Sequence, residues 1–104
     1  MGRKLSIAFF GSSLVSAYWN GAATYYRGLI RALHARGHRV TFFEPDAFDR
    51  QAHRDMQEDP PWARVQVYSA DPDSMSGGLA AALDRARQAD VIVKASGVGI
   101  NDEL

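Results

Sequence analysis

Several features that define common protein classes are missing from this 104-residue sequence. It contains no cysteine, which excludes a disulfide framework, a thiolate metal site and a cysteine nucleophile. Its 12 basic residues are balanced by 12 acidic ones, so the sequence lacks the positive surplus that is typical of nucleic-acid-binding modules. No apolar run approaches the ~20 residues that cross a bilayer. We therefore expect a cytoplasmic protein with no membrane span and no nucleic-acid partner.

Nucleotide fingerprints and metal-spaced clusters are missing as well. Gly11 and Gly21 are too far apart for the G-x-G-x-x-G of dinucleotide-binding folds, and the sequence has no Gly-Lys-Ser/Thr of a P-loop. His34 and His38 flank the end of a predicted helix, where contacts with carbonyl groups or simple exposure explain them better than a metal does. Because no carboxylate pair or Ser-His-Asp arrangement stands out, we expect no metal site and assign no catalytic residue.

Short apolar runs alternate with segments of helical periodicity along the whole chain. The first and fourth runs are almost continuously apolar, which predicts strands buried on both faces of a sheet. Asp46 has the position of an N-cap for a short polar helix. The predicted strands lie at 5–10, 40–43, 65–68 and 90–94, and the predicted helices lie at about 21–36, 47–56 and 78–88.

The first helix and the strand after it give the strongest local pattern. Asn20 is placed to cap the helix, and Gly37 supplies the positive φ that ends it. Arg27 and Arg31 fall on the opposite side from the apolar face, so we expect them on the solvent-exposed face. The apolar face is formed by Ala22, Tyr26, Leu29, Ile30 and Leu33.

The order of elements predicts the fold class. Right-handed crossovers in a β-α-β-(α)-β-α-β chain give an α/β domain with an open, doubly wound parallel sheet of strand order 3-2-1-4. Such a Rossmann-like domain has three layers, α/β/α. The loops after strands 1 and 4 then flank the topological switch point, where ligands bind beyond the carboxyl ends of the strands.

The loop after strand 1 is the first candidate site. Backbone N–H groups at a helix start favour anions, and Gly21 would let a phosphate or an attached sugar come close. Tyr18 and Trp19 would stack on a sugar ring or, alternatively, form a hydrophobic lid. A simple cap and turn is the other interpretation of the whole loop. The candidate residues here are Ser12, Ser13, Tyr18, Trp19, Asn20 and Gly21.

Further candidates lie at the ends of strands 2 and 4, and those at strand 4 would line the other wall of the predicted cleft. Glu44 stands where a ribose-binding acid would stand, and is otherwise a solvated strand end. Lys94 ends a predicted buried strand beside a glycine-containing loop, and it either binds a ligand or extends its amine to water along the surface. The candidate residues in that loop are Ser96, Gly97 and Gly99.

The phrase Arg36-Gly37-His38-Arg39-Val40-Thr41, together with the helix that leads into it from Asn20, resembles a known family. It is similar to the first helix and second strand of GT-B glycosyltransferases, and most similar to the family-4-like and spore-maturation (CgeB-like) branches. The resemblance is strong over residues 5–46 and looser over 88–100. It implies the N-terminal, acceptor-side half of a two-domain enzyme.

That resemblance implies partners as well as a reaction. A C-terminal domain of the parent chain would bind the nucleotide-sugar donor, and an acceptor hydroxyl would attack its anomeric carbon. The 104-residue chain would bind no cofactor alone and would be inactive. Some family members carry a histidine after the fourth strand, where this sequence has Lys94-Ala95-Ser96, so no catalytic base is assigned.

Two other functions fit the same sequence. The chain could be a stand-alone nucleotide- or flavin-binding module that uses the Ser12-Ser13 loop. It could also be a non-catalytic interaction domain, because four strands leave a sheet edge uncovered and such edges invite pairing, including pairing into a homodimer.

Overall fold

The computed structural model of the protein describes residues 4–17, 21–46, 51–69 and 78–95. Within these ranges strands and helices alternate in the order that the apolar periodicity predicts. The elements are β1 (Ser6–Phe10), α1 (Ala23–Ala35), β2 (Arg39–Asp46), a 3-10 helix (Gln51–His53), β3 (Arg64–Ser69), α2 (Leu79–Ala86) and β4 (Val91–Lys94).

The four strands form one sheet in the order β3-β2-β1-β4. All three strand pairings are parallel, and Ile7 in the central strand β1 lies between Val40 of β2 and Val91 of β4. The predicted fold class, an open parallel α/β sheet of order 3-2-1-4, is therefore confirmed. Each crossover returns the chain to the same end of the sheet, so all four strands end at one common edge.

The helices lie on opposite faces of the sheet and give it two separate cores. Phe9 belongs to a buried cluster with Ile30 of α1, whereas the next residue, Phe10, belongs to a cluster with Ala82 of α2. Successive side chains of a strand point to opposite faces, so this division follows from the strand itself. On the α2 side the rings of Phe10 and Phe43 stack with their centroids 4.7 Å apart.

Helix α1 ends as its sequence predicts. Gly37 has a φ of 92°, and its N–H donates to the carbonyl of His34 at 2.9 Å. The N–H of His38 donates to the carbonyl of Leu33 at 3.1 Å, which satisfies another free carbonyl of the last turn. Among the described residues no helix is long and apolar enough to cross a membrane.

Strand β2 is longer than predicted. The sequence predicts that the strand closes at Glu44 and that Asp46 caps a helix over 47–56, but Asp46 pairs with Ser69 inside the sheet. Pro45 is tolerated because β1 pairs only as far as Phe43, so the missing N–H faces a side where β1 has already ended. The 47–56 helix is wrong over its described part, which contains only the 3-10 helix, and residues 47–50 lie outside the described ranges.

Strand β4 is less buried than its apolar sequence predicts. Val91 and Ile92 are 39% and 52% exposed. In the described part of the chain β4 is an edge strand, and α1 packs mainly on β2 while α2 packs mainly on β3. An apolar run shows that a strand has side chains to bury, but it does not show which elements cover them. The prediction that β4 is buried on both faces is therefore wrong.

Candidate functional site

The carboxyl ends of β1, β2 and β4 bring two predicted loops to one edge of the sheet. Phe10 ends β1 beside Phe43 and Lys94, and the chain leaves the sheet directly after Phe10 and Lys94. The N–H of Gly11 donates to the carbonyl of Phe43 at 3.2 Å, and the N–H of Ala95 donates to the carbonyl of Phe10 at 2.9 Å. The prediction that the segments after strands 1 and 4 start side by side is therefore confirmed.

The loop after β1 is held in place by a buried glutamate of β2. Glu44 is 0% exposed, and one of its carboxyl oxygens, Oε2, accepts from the Ser13 hydroxyl at 2.7 Å and from the Gln51 amide. The other, Oε1, accepts from the N–H of Leu14 at 3.0 Å. The Ser13 oxygen accepts in turn from the N–H of Ser16 at 3.1 Å. These bonds replace the water that a buried acid loses, so Glu44 fixes the loop in place.

This burial changes the interpretation of two predicted site residues. The alternative expectation, that Glu44 is a solvated strand end, is wrong, because the side chain is buried and hydrogen-bonded to the loop. Its role as a ribose-binding acid stays a prediction, although both of its oxygens accept bonds from the chain itself. Ser12 and Ser13 are 6% and 0% exposed, so the loop presents little of either hydroxyl to solvent.

A second anchor holds the same loop from the side of α1. The Arg27 guanidinium donates from Nε to the carbonyl of Leu14 at 2.8 Å. Its Nη1 and Nη2 lie 2.8 and 3.0 Å from the two carboxylate oxygens of Asp55, a two-point pairing typical of arginine. The predicted position of Arg27 on the solvent-exposed face of α1 is wrong, because the loop folds back over that part of the helix and takes the guanidinium.

Asp55 connects this anchor to the segment after β2. Its Oδ1 also accepts from the N–H of Ala17 at 3.1 Å, and its own N–H donates to the carbonyl of Val15 at 3.0 Å. The hydrogen bond from Arg27 lowers the pKa of Asp55 below its ordinary 3.8, against the opposing effect of burial. The hydroxyl of Ser16 donates to the carbonyl of His53 at 2.9 Å. The segment 51–56 therefore lies against the loop 11–17 along its length.

Sequence reasoning missed the residues that build these anchors. Arg27 and Asp55 are 28 positions apart, and no periodicity links them. The available signal was indirect: a charge-free loop with three serines needs polar partners from elsewhere in the chain.

Farther along the same sheet, burial raises the pKa of Tyr68 to about 12, and the charge of Glu44 adds to that shift.

The start of α1 is the exposed part of this edge. The N-cap position is held by Ala22, which makes no side-chain capping bond, so the prediction that the cap falls on Asn20 is wrong. Gly21 is exposed, and a Cβ built there would meet no atom within 4 Å. Among the described residues no side chain caps the first-turn N–H groups, and nothing packed against Gly21 requires a glycine at this position.

The remaining candidates divide into two groups. Lys94 is exposed at the end of β4. Tyr18, Trp19, Asn20, Ser96, Gly97 and Gly99 lie outside the described residues, and their roles stay predictions. His53 and His34 are exposed, while the ring of His38 accepts at Nδ1 from the N–H of Leu5 at 3.1 Å. Within the described ranges no group of three or more histidine, cysteine, aspartate or glutamate side chains is arranged to hold a metal.

Comparison with known proteins adds one finding to this geometry. The family model of the glycosyl transferase 4-like domain matches residues 20–98, which include α1 and all of β2, β3, α2 and β4. Neither the curated proteins nor the solved structures give a match.

Proposed function

Because this chain belongs to the family of glycosyl transferase 4-like domains, we propose that it is the N-terminal, acceptor-side half of a two-domain GT-B enzyme. A C-terminal domain of the parent chain would bind a nucleotide-sugar, and the transferred group would be a hexose. The spore-maturation (CgeB-like) branch and a cytoplasmic location are part of the same proposal. The 104-residue chain is expected to be inactive alone and to carry no cofactor or metal.

The observation that carries the proposal is the open start of α1, which follows the anchored loop after β1. No described side chain caps the first turn of α1, and Gly21 leaves room for a ligand. An anionic group would be favoured there by the free N–H groups and the helix dipole. The phosphates of a nucleotide-sugar held by the C-terminal domain, or a phosphate on the acceptor, would supply such a group.

The anchored loop supports the proposal from a second direction. Glu44 and Arg27 hold residues 13 and 14 at both the main chain and the side chain. A loop fixed by buried bonds can present its backbone to a substrate without an ordering cost at the moment of binding. In this proposal the acceptor hydroxyl attacks the anomeric carbon within the cleft. Ser12 and Ser13, whose hydroxyls are largely buried, would contribute main-chain groups to the acceptor side, and Lys94 and the two glycine-containing loops would complete it.

A comparison of the 104-residue chain with its complete reading frame tests this proposal. We expect the frame to continue for about 200 residues or more, through a second βαβ series. The longer protein should transfer a sugar from a nucleotide-sugar, whereas the shorter chain should neither transfer a sugar nor bind the donor tightly. A stop directly after Leu104, with micromolar nucleotide or flavin binding by the chain alone, would favour the stand-alone module instead.

A matched pair of glycine variants tests the site within the longer protein. Gly21→Val places a side chain where a ligand would lie, and we expect kcat/KM to fall by about tenfold to a hundredfold. Gly28→Ala changes an equally uncrowded glycine farther along α1 and should leave kcat/KM unchanged. Equal activity of both variants would remove Gly21 from the site without affecting the family assignment.

One observation favours a second function. Val91 and Ile92 expose apolar surface on β4, whose outer edge is unpaired in the described chain. This edge supports the interaction-domain alternative, including a homodimer, because unpaired strand edges recruit further strands.

A further inference from the structure

A cavity of about 410 Å³ opens at the amino ends of β2 and β3, on the edge of the sheet opposite the proposed transfer site. The last turn of α1 contributes His34 to its wall, and Trp62 and Ala63 contribute the segment that leads into β3. Arg39 and Arg64, the first residues of the two strands, complete it. The volume lies within the roughly 300–1,000 Å³ of small-molecule sites.

The two arginines are positioned to act together. Arg64 is paired in register with Thr41, and Arg39 stands two residues before Thr41 in β2. Residues two apart in a strand, and residues paired across strands, share a face of the sheet, so both side chains start from the same side. Both arginines are exposed, and neither forms an ion pair or side-chain hydrogen bond with another described residue.

The surroundings of the cavity are positive although the whole chain is neutral. Asp59 is the one carboxylate among the described residues that line the cavity, and its Oδ2 accepts from the N–H of Val65 at 3.1 Å. The half-buried ring of Trp62 forms part of the wall, and the Arg31 guanidinium carbon lies 6.0 Å from the centre of that ring. Arg31 is therefore a further cation, on the α1 side of the Trp62 ring.

We propose that this cavity is a second small-molecule site that binds a sugar phosphate. A guanidinium has the planar, forked donors that match phosphate oxygens, and two of them match the charge of a phosphate monoester. The exposed part of the Trp62 ring provides an apolar surface of the kind that sugar rings pack against. The site does not depend on the proposed transferase function, and it requires no second domain.

A nuclear magnetic resonance titration of the ¹⁵N-labelled 104-residue chain tests the proposal. Ribose 5-phosphate is the probe, with ribose and inorganic phosphate titrated separately at constant ionic strength. We expect ribose 5-phosphate to shift the amide signals of Thr41 and Ala63 and the indole N–H signal of Trp62, with saturation. Inorganic phosphate should shift the same backbone signals more weakly, and ribose should shift none. Trp19→Phe assigns the two indole signals.

Charge variants on the same edge of the sheet show whether ribose 5-phosphate binds in the cavity itself. The double variant Arg39→Gln/Arg64→Gln removes both guanidiniums, and we expect binding to weaken by about tenfold or more. Arg36→Gln is the matched control: it removes an exposed charge at the end of α1 that does not line the cavity, and it should change the affinity by less than about twofold. All three positions are exposed, and the dispersion of the amide signals checks that each variant is folded.

Three results would overturn the proposal. The first is the absence of any saturable shift through the millimolar range of ribose 5-phosphate. The second is an equal loss of affinity in the Arg36→Gln control, which would mean general attraction to a positive edge. The third is an equal response to ribose, which would mean that the phosphate is not recognised. None of these results bears on sugar transfer, so the two proposals fail independently.

Discussion

Gly11 has no room for a side chain. It follows β1 directly, and a Cβ at this position would lie 2.7 Å from the tip of the Phe42 ring and 3.0 Å from that of Tyr26. Both rings are buried in the core on the α1 side, where they also pack against Phe9. Gly28 is different, because a Cβ at that position would meet no neighbouring side chain or other segment within 4 Å. Packing thus requires a glycine at position 11, whereas nothing packed against position 28 requires one.

Substitution of these glycines by alanine should change stability in opposite directions. Gly11→Ala crowds two buried rings, and we expect the free energy of unfolding to fall by about 1–3 kcal/mol. Gly28→Ala removes a flexible residue from the exposed interior of α1 and should raise it by about 0.5–1 kcal/mol. Urea unfolding of the two variants measures both effects. A Gly11→Ala protein as stable as the wild type would show that the rings move aside at no cost.

Glu44 should be sensitive even to its closest replacement. Glu44→Gln puts an amide N–H₂ in place of an oxygen that accepts from the chain, so at least one donor faces another donor. We expect a loss of about 1–3 kcal/mol in the free energy of unfolding, together with faster hydrogen exchange at the Leu14 amide. Glu58→Gln, an exposed control, should change stability by less than about 0.5 kcal/mol. Similar values for the two variants would contradict an anchoring role.

At the scale of elements, the loop 11–17 and the segment 51–56 behave as one structural unit. The loop gives two acceptors, the carbonyls of Leu14 and Val15, and the segment gives the carboxylate of Asp55. Arg27 of α1 pairs with that carboxylate and links the helix to both. Removal of one of these interactions should therefore make both the loop 11–17 and the segment 51–56 more mobile. Both segments lie at the edge of the sheet where the substrate loops are predicted.

The ion pair between Arg27 and Asp55 should stop contributing to stability at low pH. The pKa of Asp55 is lowered in the folded state by the Arg27 hydrogen bond, so its contribution to stability is present above its ordinary value of 3.8 and is lost as the pH falls below it. A double-mutant cycle with Arg27→Met and Asp55→Asn measures the coupling. We expect roughly 0.5–1 kcal/mol near neutral pH, since Asp55 is partly exposed, and a value near zero at low pH. A coupling energy that does not change with pH would rule out an ionic link.

At the scale of the whole molecule, the described sheet is covered unevenly. Both helices lie over the β1–β3 side, and β4 keeps one free edge and two exposed apolar side chains. The two ends of the sheet differ as well. The carboxyl end of β1 leads into the anchored loop, whereas the amino ends of β2 and β3 border a cavity lined by two arginines that pair with no other described side chain.

The exposed edge leads to a prediction about assembly. We expect the 104-residue chain to self-associate at high concentration through β4, and Ile92→Lys to keep it monomeric in sedimentation velocity. Ile92 is 52% exposed, so the substitution should change the free energy of unfolding by less than about 0.5 kcal/mol. Tyr25→Lys removes a similarly exposed apolar residue from α1, 67% exposed, and should leave self-association unchanged. Association of all three proteins to the same extent would place the contact elsewhere.

Local signals were enough to predict most of the fold. The apolar runs of β1 and β2 and the Gly37 stop are properties of short segments, and each is found where its residues indicate. The strand order followed from the handedness of crossovers, which is the same for nearly all such chains. The prediction failed where a neighbour decided the outcome: Asp46 stays in β2 because β3 pairs with it, and β4 is exposed because no described helix covers it.

The sequence by itself determined the alternation of strands and helices, the parallel sheet and the edge at which its loops begin. Only the tertiary structure decided which polar groups satisfy one another. The sequence predicted that Glu44 binds a ligand, and in the fold its buried carboxylate holds the loop after β1. The sequence predicted that Arg27 is exposed to solvent, and in the fold its guanidinium pairs with Asp55. The physical reason is that apolar periodicity is encoded within one segment. The partner of a buried charge comes from distant positions that only the folded chain brings together.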